Sequence, residues 1–164
     1  MRDRDINVFK KDCGKQPIKG SDKGSYIIVG FLARCMSIEV GSLGSINFQK
    51  GYYVYVGSAM NSLSKRVKRH LAKVKKAHWH IDYLTPHLIK MKPILITIPE
   101  KLECRISRAI SVIADGKVAN FGSSDCRCAS HLYFFETDPF QNTNFLEIID
   151  SYNASYEKTE GFLQ

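Results

Sequence analysis

From residue 24 onward the apolar residues of this chain fall either in short dense runs or at helical spacing, and the alternation of the two patterns predicts its elements. Ser25 to Arg34 predicts a strand, Ile38 to Lys50 a two-strand insertion with glycine turns, and 52–57 a tyrosine-dense strand. On that strand Tyr53 and Tyr55 project from one face toward Gly57, where a turn is expected. Taken at about 100° per residue, Leu63, Val67, Leu71 and Val74 form the apolar stripe of a helix over Leu63–Lys76. A second helix is expected from near His80 to Ile89, then a short buried strand over Pro93–Ile98. A third helix, opened by Pro99 and Glu100, has Leu102, Ile106, Ala109, Ile110 and Ile113 as its stripe. Asp115-Gly116 reads as a turn, Lys117–Phe121 and Ser130–Phe135 as strands, and Phe145–Tyr152 as a last helix. The mixture predicts an α/β (α+β) fold: a small mixed or antiparallel central sheet flanked by helices.

Composition adds bounds to this picture. A chain of 164 residues that is 44% hydrophobic suffices for one sizeable core. Its longest apolar runs, such as Tyr26 to Ala33, fall far below the ~18 residues that span a bilayer. Met1-Arg2-Asp3-Arg4-Asp5 offers no apolar signal core, and five cysteines make no even framework, which argues against a secreted disulfide scaffold. The expectation is a cytoplasmic protein with reduced thiols.

Charge points to the partner. The formal net charge is +8, and residues 65–76 hold seven cations and no acid, whereas 134–164 hold six acids against Lys158. The chain therefore divides into a basic, lysine-rich arm to about residue 23, a domain over 24–135 and an acidic extension over 136–164. Lys65, Lys68, Arg69, Lys73, Lys75 and Lys76 are candidate contacts to a nucleic-acid backbone, DNA first and RNA as an alternative. Attachment to a membrane surface would need large apolar residues exposed opposite these cations, and the stripe of this helix is better used for packing on a sheet.

Arg66 lies on the flank of that stripe, where a guanidinium can keep its five donors aimed into a cleft as phosphate recognition requires. His70 lies within the stripe. An ordinary strand, turn and helix with core tyrosines and a satisfied core histidine fits the same spacing.

Tyr55-Val56-Gly57, followed by Arg66 and His70 on the next helix, resembles the second half of the GIY-YIG endonuclease signature, and Gly24-Ser25-Tyr26 resembles its first half. Ser25 and Val56 stand where that superfamily carries isoleucine, and IEVGSLGSINFQKG is inserted where it has a tight hairpin. HWHIDYL at 78–84 and FGSSDCRCASHL at 121–132 resemble a small prokaryotic branch of the superfamily, known mainly as a domain of unknown function. Its members resemble stand-alone proteins or appendages of a repair glycosylase, which implies a role on DNA and a DNA-repair enzyme as partner. The resemblance implies a GIY-YIG-like fold and a distal glutamate holding Mg²⁺ or Mn²⁺, and Glu103 meets that expectation. It further implies that Arg66 holds the scissile phosphate, that Tyr26 and Tyr55 position or deprotonate the attacking water, and that His70 either shuttles a proton or fixes a tyrosine hydroxyl. For Glu103, a first-turn glutamate favoured by the helix dipole is the plainer alternative.

Two further clusters bear on the cleft. His78, His80 and Asp82 have metal-like spacing but also suit a local cap beside a core tryptophan. Cys126, Cys128 and His131, with Asp125, could bind zinc only by recruiting Cys104 or a histidine of the first cluster, since closed zinc sites usually take four ligands. The reading adopted is a serine-rich turn with buried thiols, so that His80, Asp82, Asp125 and His131 are expected to line the cleft. A non-catalytic nucleic-acid-binding module with the same fold is the alternative to the nuclease.

Overall fold

The computed structural model describes residues 21–152 and 154, and the lysine-rich arm before residue 21 lies outside them. Among the described residues there are seven strands, β1 (Gly24–Leu32), β2 (Met36–Glu39), β3 (Ser45–Phe48), β4 (Gly51–Ala59), β5 (Ile89–Ile96), β6 (Gly116–Lys117) and β7 (Leu132–Phe135). Four helices, α1 (Leu63–Leu71), α2 (His80–Leu84), α3 (Glu103–Ile113) and α4 (Thr143–Ser151), accompany them. The sheet is antiparallel throughout, in the order β5-β1-β4-β7-β6, and β2 and β3 form a separate hairpin.

β1 and β4 are apolar on both sides because the sheet is covered on both. On one face Tyr26, Ile28, Tyr53 and Tyr55 pack against Leu63 and Val67 of α1, Ile81 and Leu84 of α2, and Ile38, Val40 and Phe48 of the hairpin region. On the other, Ile27, Val29, Val54 and Val56 pack against Leu102, Ile106 and Ile110 of α3 and its approach, with Phe145 and Ile149 of α4. Fully burying one such side chain contributes about 1.5–3 kcal/mol, so the two interleaved sets hold the three layers together. The segment after residue 135 thus contributes to the core despite its acids. The inserted residues do likewise: Phe48 packs edge-on against Tyr53 and Phe121, and none of them reaches the cleft described below.

Several predicted boundaries are corrected. Gly57 is not a turn, since β4 continues to Ala59; it pairs with Tyr26, and a Cβ there would lie 2.4 Å from the Tyr26 Oη. The glycine makes room for a ring. α1 stops at Leu71, and Val74 is 94% exposed instead of completing the stripe. The reason is Lys75, whose ammonium donates to the carbonyls of His70 and Ala72 and to the Thr85 Oγ1, occupying acceptors that a longer helix would use itself. α2 ends early in a 3-10 turn containing Pro86, and Ile89 begins β5. Pro93 sits in β5 at the sheet edge, where a residue without N–H is tolerated. The strand expected over Lys117–Phe121 shrinks to Gly116–Lys117, and an irregular loop follows to β7.

Candidate active site

A cleft of about 260 Å³ opens at the end of the sheet where β1 begins and β4 finishes. Tyr26 and Tyr55 form its floor, Arg66 comes from α1, and Trp79 and His80 come from the entry to α2. Glu103 enters from α3, although α3 packs on the opposite face from α1. It can do so because it is the first residue of its helix, and because the Leu102 amide just before it donates to the Ser25 Oγ at the start of β1 (3.0 Å). Gly122, Ser124, Asp125 and His131 close the cleft from the β6–β7 loop. Tyr26, Tyr55, Arg66 and Glu103, predicted to share one site, therefore do. Asp82 does not line it and His70 is entirely buried behind it.

Those two connect to the cleft through Tyr26. The Tyr26 hydroxyl lies 2.8 Å from the His70 Nε2, and the His70 Nδ1 lies 3.0 Å from Asp82 Oδ1. Burial alone would raise the Asp82 carboxyl, but the amides of Trp79 and His78 and the His70 hydrogen bond outweigh it and hold it below its usual value. Asp82 is therefore an acceptor, His70 Nδ1 carries the hydrogen, and Nε2 is left to accept from the Tyr26 hydroxyl. Burial outweighs the upward pull of Asp82 on His70 and pushes the imidazole down to about 4, so it is neutral and its Nε2 carries a free lone pair. Burial also pushes Tyr26 well up, with the Arg66 guanidinium opposing it. Tyr55 is raised by burial and then by Tyr26, whose ring centre is 6.3 Å away.

Trp79, read from the sequence as a cap or core aromatic, lies half-buried in the wall with the Arg66 guanidinium 4.1 Å from its ring centre and that of Arg69 at 5.0 Å. A cation held on an indole face is oriented without neutralisation. Its position just ahead of a helix whose Asp82 accepts the Trp79 amide was the available signal. The predicted backbone contacts divide. Lys65, Lys68, Lys73 and Lys76 are exposed. Arg69 instead bonds Asp82 and the Lys76 carbonyl, and the Lys75 side chain is only 4% exposed, so both are internal ties and not free cations.

The Glu103 Oε2 is buried and has no hydrogen-bond partner. A buried carboxylate oxygen is costly unless something pairs it, so this atom is open to an electropositive partner in the cleft. Asp125 in the same cleft is exposed. His80 accepts from the Gly122 amide through Nδ1 (3.0 Å), and burial lowers its pKa and that of His131. Hard oxygen donors of this kind suit a magnesium ion, which binds through one or two carboxylates and completes its shell with water and substrate phosphate.

Beside Glu103, Cys104 meets Cys126, Cys128 and His131, with one ligand atom from each lying within 4.8 Å of the others. The thiols expected to line the cleft gather next to it, and Cys104 joins them from α3. Burial and the neighbouring sulfurs push the Cys104 thiol up to about 12.

The coordinates thus define an antiparallel α+β domain with a polar, arginine-bearing cleft at one end of its sheet. A family model described as Domain of unknown function DUF123 matches residues 25–154, and the chain belongs to that family. No curated protein and no solved structure matches the chain.

Proposed function

We propose that this protein is a metal-dependent endonuclease-like hydrolase of DNA phosphodiester bonds, as its resemblance to the GIY-YIG superfamily implies. The observation that carries the reading is the unpartnered, buried Glu103 Oε2 in one cleft with Arg66 and with a tyrosine wired to a neutral histidine. Glu103, with Asp125 as the second carboxylate within reach of the cleft, would hold Mg²⁺ or Mn²⁺. Such an ion supplies charge stabilisation to the phosphate oxygens in the transition state. Arg66, steadied on Trp79, binds a phosphate oxygen pair. Tyr26 receives the proton of the attacking water only as it gives its own to His70, and Asp82 stabilises the imidazolium so formed. Lys65, Lys68, Lys73 and Lys76 hold the flanking backbone, with the phosphates of RNA meeting the same contacts. No helix among the described residues is long and apolar enough to cross a membrane, and a reducing cytoplasm suits the free thiols. A DNA-repair enzyme is the partner class this function implies.

The upward shifts of Tyr26 and Tyr55 favour a second reading, a nucleic-acid-binding module that does no chemistry. Incubation with linear and branched DNA in Mg²⁺ or Mn²⁺ separates the two. Wild type should cleave, and Glu103→Gln should lose all metal-dependent cleavage while keeping its melting temperature and its DNA affinity. Binding without cleavage by wild type in either metal would leave the module.

A further inference from the structure

We propose that Cys104, Cys126, Cys128 and His131 form a structural zinc site that fastens the β6–β7 loop to the start of α3. It is separate from the carboxylate site and does not rest on nuclease activity. A tetrahedral zinc with sulfur at about 2.3 Å places its ligand atoms about 3.8 Å apart. Here the His131 Nε2 lies 3.5 Å from the Cys126 Sγ and 3.9 Å from the Cys104 Sγ, and the four ligand atoms all fall within 4.8 Å of one another. An inward shift of about 1 Å at the widest pair closes the tetrahedron. The donor set also selects the metal. Three thiolates and an imidazole are soft-to-borderline ligands suited to zinc, whereas the oxygen donors of the cleft suit magnesium. Four protein ligands leave no open position, which is the arrangement of a structural and not a catalytic ion.

The fold has a use for such a clip. Between Lys117 and Leu132 the chain has no helix or strand, yet Phe121, Ser123, Ser130 and His131 in this stretch are buried. Its two arms are tied to each other by the Val118 amide on the Leu132 carbonyl, the Asn120 amide on that of Ala129 and the His131 amide on that of Phe121, and none of these bonds reaches α3. Two of the proposed ligands, Cys126 and Cys128, sit at its tip, His131 at its exit, and Cys104 in the first turn of α3. Zinc binding expels the three thiol protons to solvent and forms three Zn–S bonds and one Zn–N bond, with no change of oxidation state. Because Cys104 follows Glu103 directly, the same bonds fix where Glu103 enters the cleft, and His131 joins the two sites as a ligand of one and a wall of the other.

Elemental analysis of the reduced, full-length protein should find one zinc per chain. Replacement by Co²⁺ should give the ligand-field bands of a tetrahedral ion together with an intense thiolate-to-cobalt charge-transfer band. Cys104→Ser and Cys126→Ser should each remove that band, and Cys35→Ser, which alters an exposed thiol outside the cluster, should keep it. Should the serine variants fail to fold, wild type decides alone: chelation should lower its melting temperature, expose three further thiols to alkylation, and be reversed by Zn²⁺ but not by Mg²⁺. A protein purified without zinc that gives no charge-transfer band on cobalt titration overturns the site. So does a six-coordinate cobalt spectrum without thiolate bands, or a disulfide among these cysteines that persists after purification in reductant.

Discussion

Gly57 shows how one missing atom shapes the cleft. Its hydrogen faces the Tyr26 hydroxyl, and a methyl in its place would lie 2.4 Å from Oη. Gly57→Ala must therefore displace the ring and break its bond to His70, at a cost of about 1–3 kcal/mol for overpacking. Chemical denaturation should report that loss, and on the nuclease reading cleavage should fall even in the fraction that stays folded. His70 gives a pH dependence with a defined sign. Folded His70 stays neutral down to about 4, whereas an unfolded histidine takes up its proton near 6.5, so protons favour the unfolded chain between those values. Stability is full above about 6.5 and declines as pH falls toward about 4, by roughly 3 kcal/mol from this residue at ~1.4 kcal/mol per pKa unit. The shift of His80 acts in the same direction, and Asp82 adds its loss only at lower pH. Unfolding free energies measured across that window should fall, and a flat profile would mean that His70 is charged in the folded state.

Among the elements, α1 separates what periodicity can and cannot say. Val67 is buried and Val74 is not, although both occupy the same apolar stripe in the sequence. Val67→Ala should cost roughly 1–3 kcal/mol, at about 0.8 kcal/mol for each methylene-sized group lost plus a cavity contribution, whereas Val74→Asp should change stability by less than about 0.5 kcal/mol. Thermal melts of the two variants check the difference. Dense apolar runs found β1 and β4, which are buried on both faces, and the 3.6-residue period found α1, α3 and α4, each of which buries one stripe. Their ends were less legible, because ends depend on partners distant in sequence, such as the Thr85 hydroxyl that takes one proton of Lys75. The candidate site divides similarly. Arg66 was marked by its place on the flank of a helical stripe, and Tyr26, Tyr55 and Glu103 by the resemblance to the GIY-YIG signature, while the role of Trp79 and the meeting of Cys104 with the β6–β7 loop exist only once the sheet has brought them together. Asp82 was misplaced into the cleft because four donors draw it inward: the amides of His78 and Trp79 make the local cap that the spacing suited, while the side chains of Arg69 and His70 reach it from α1.

At the scale of the whole molecule, charge is unevenly spread over the described residues: α1 carries a cluster of exposed cations, while α3 and α4 on the other face expose Arg105 and Arg108 beside Glu147 and Asp150. The exposed cations on or just after α1 are Lys65, Lys68, Lys73 and Lys76. A polyanion should approach from the α1 side and bind with an affinity that falls steeply as salt rises. Replacing Lys65, Lys68, Lys73 and Lys76 by Gln should flatten that dependence, by up to about 0.9 in the logarithmic slope for each phosphate contact removed from duplex DNA. Replacing Lys75 should instead destabilise the fold, since its ammonium is spent on His70, Ala72 and Thr85. Titrations of DNA at several salt concentrations distinguish these outcomes, and an affinity indifferent to salt would remove the backbone as the contact.

The cleft draws Tyr26, Tyr55, Arg66, Glu103 and His131 from both sides of the sheet, and more than a hundred residues of chain separate the first from the last. During synthesis its first tyrosine leaves the ribosome long before the loop that closes it. A nascent or truncated chain ending ahead of β7 owns the cations of α1 but lacks the far wall, so it can adhere to nucleic acid without the assembled cleft. On the nuclease reading, the topology itself withholds a hazardous activity from every unfinished copy of the protein.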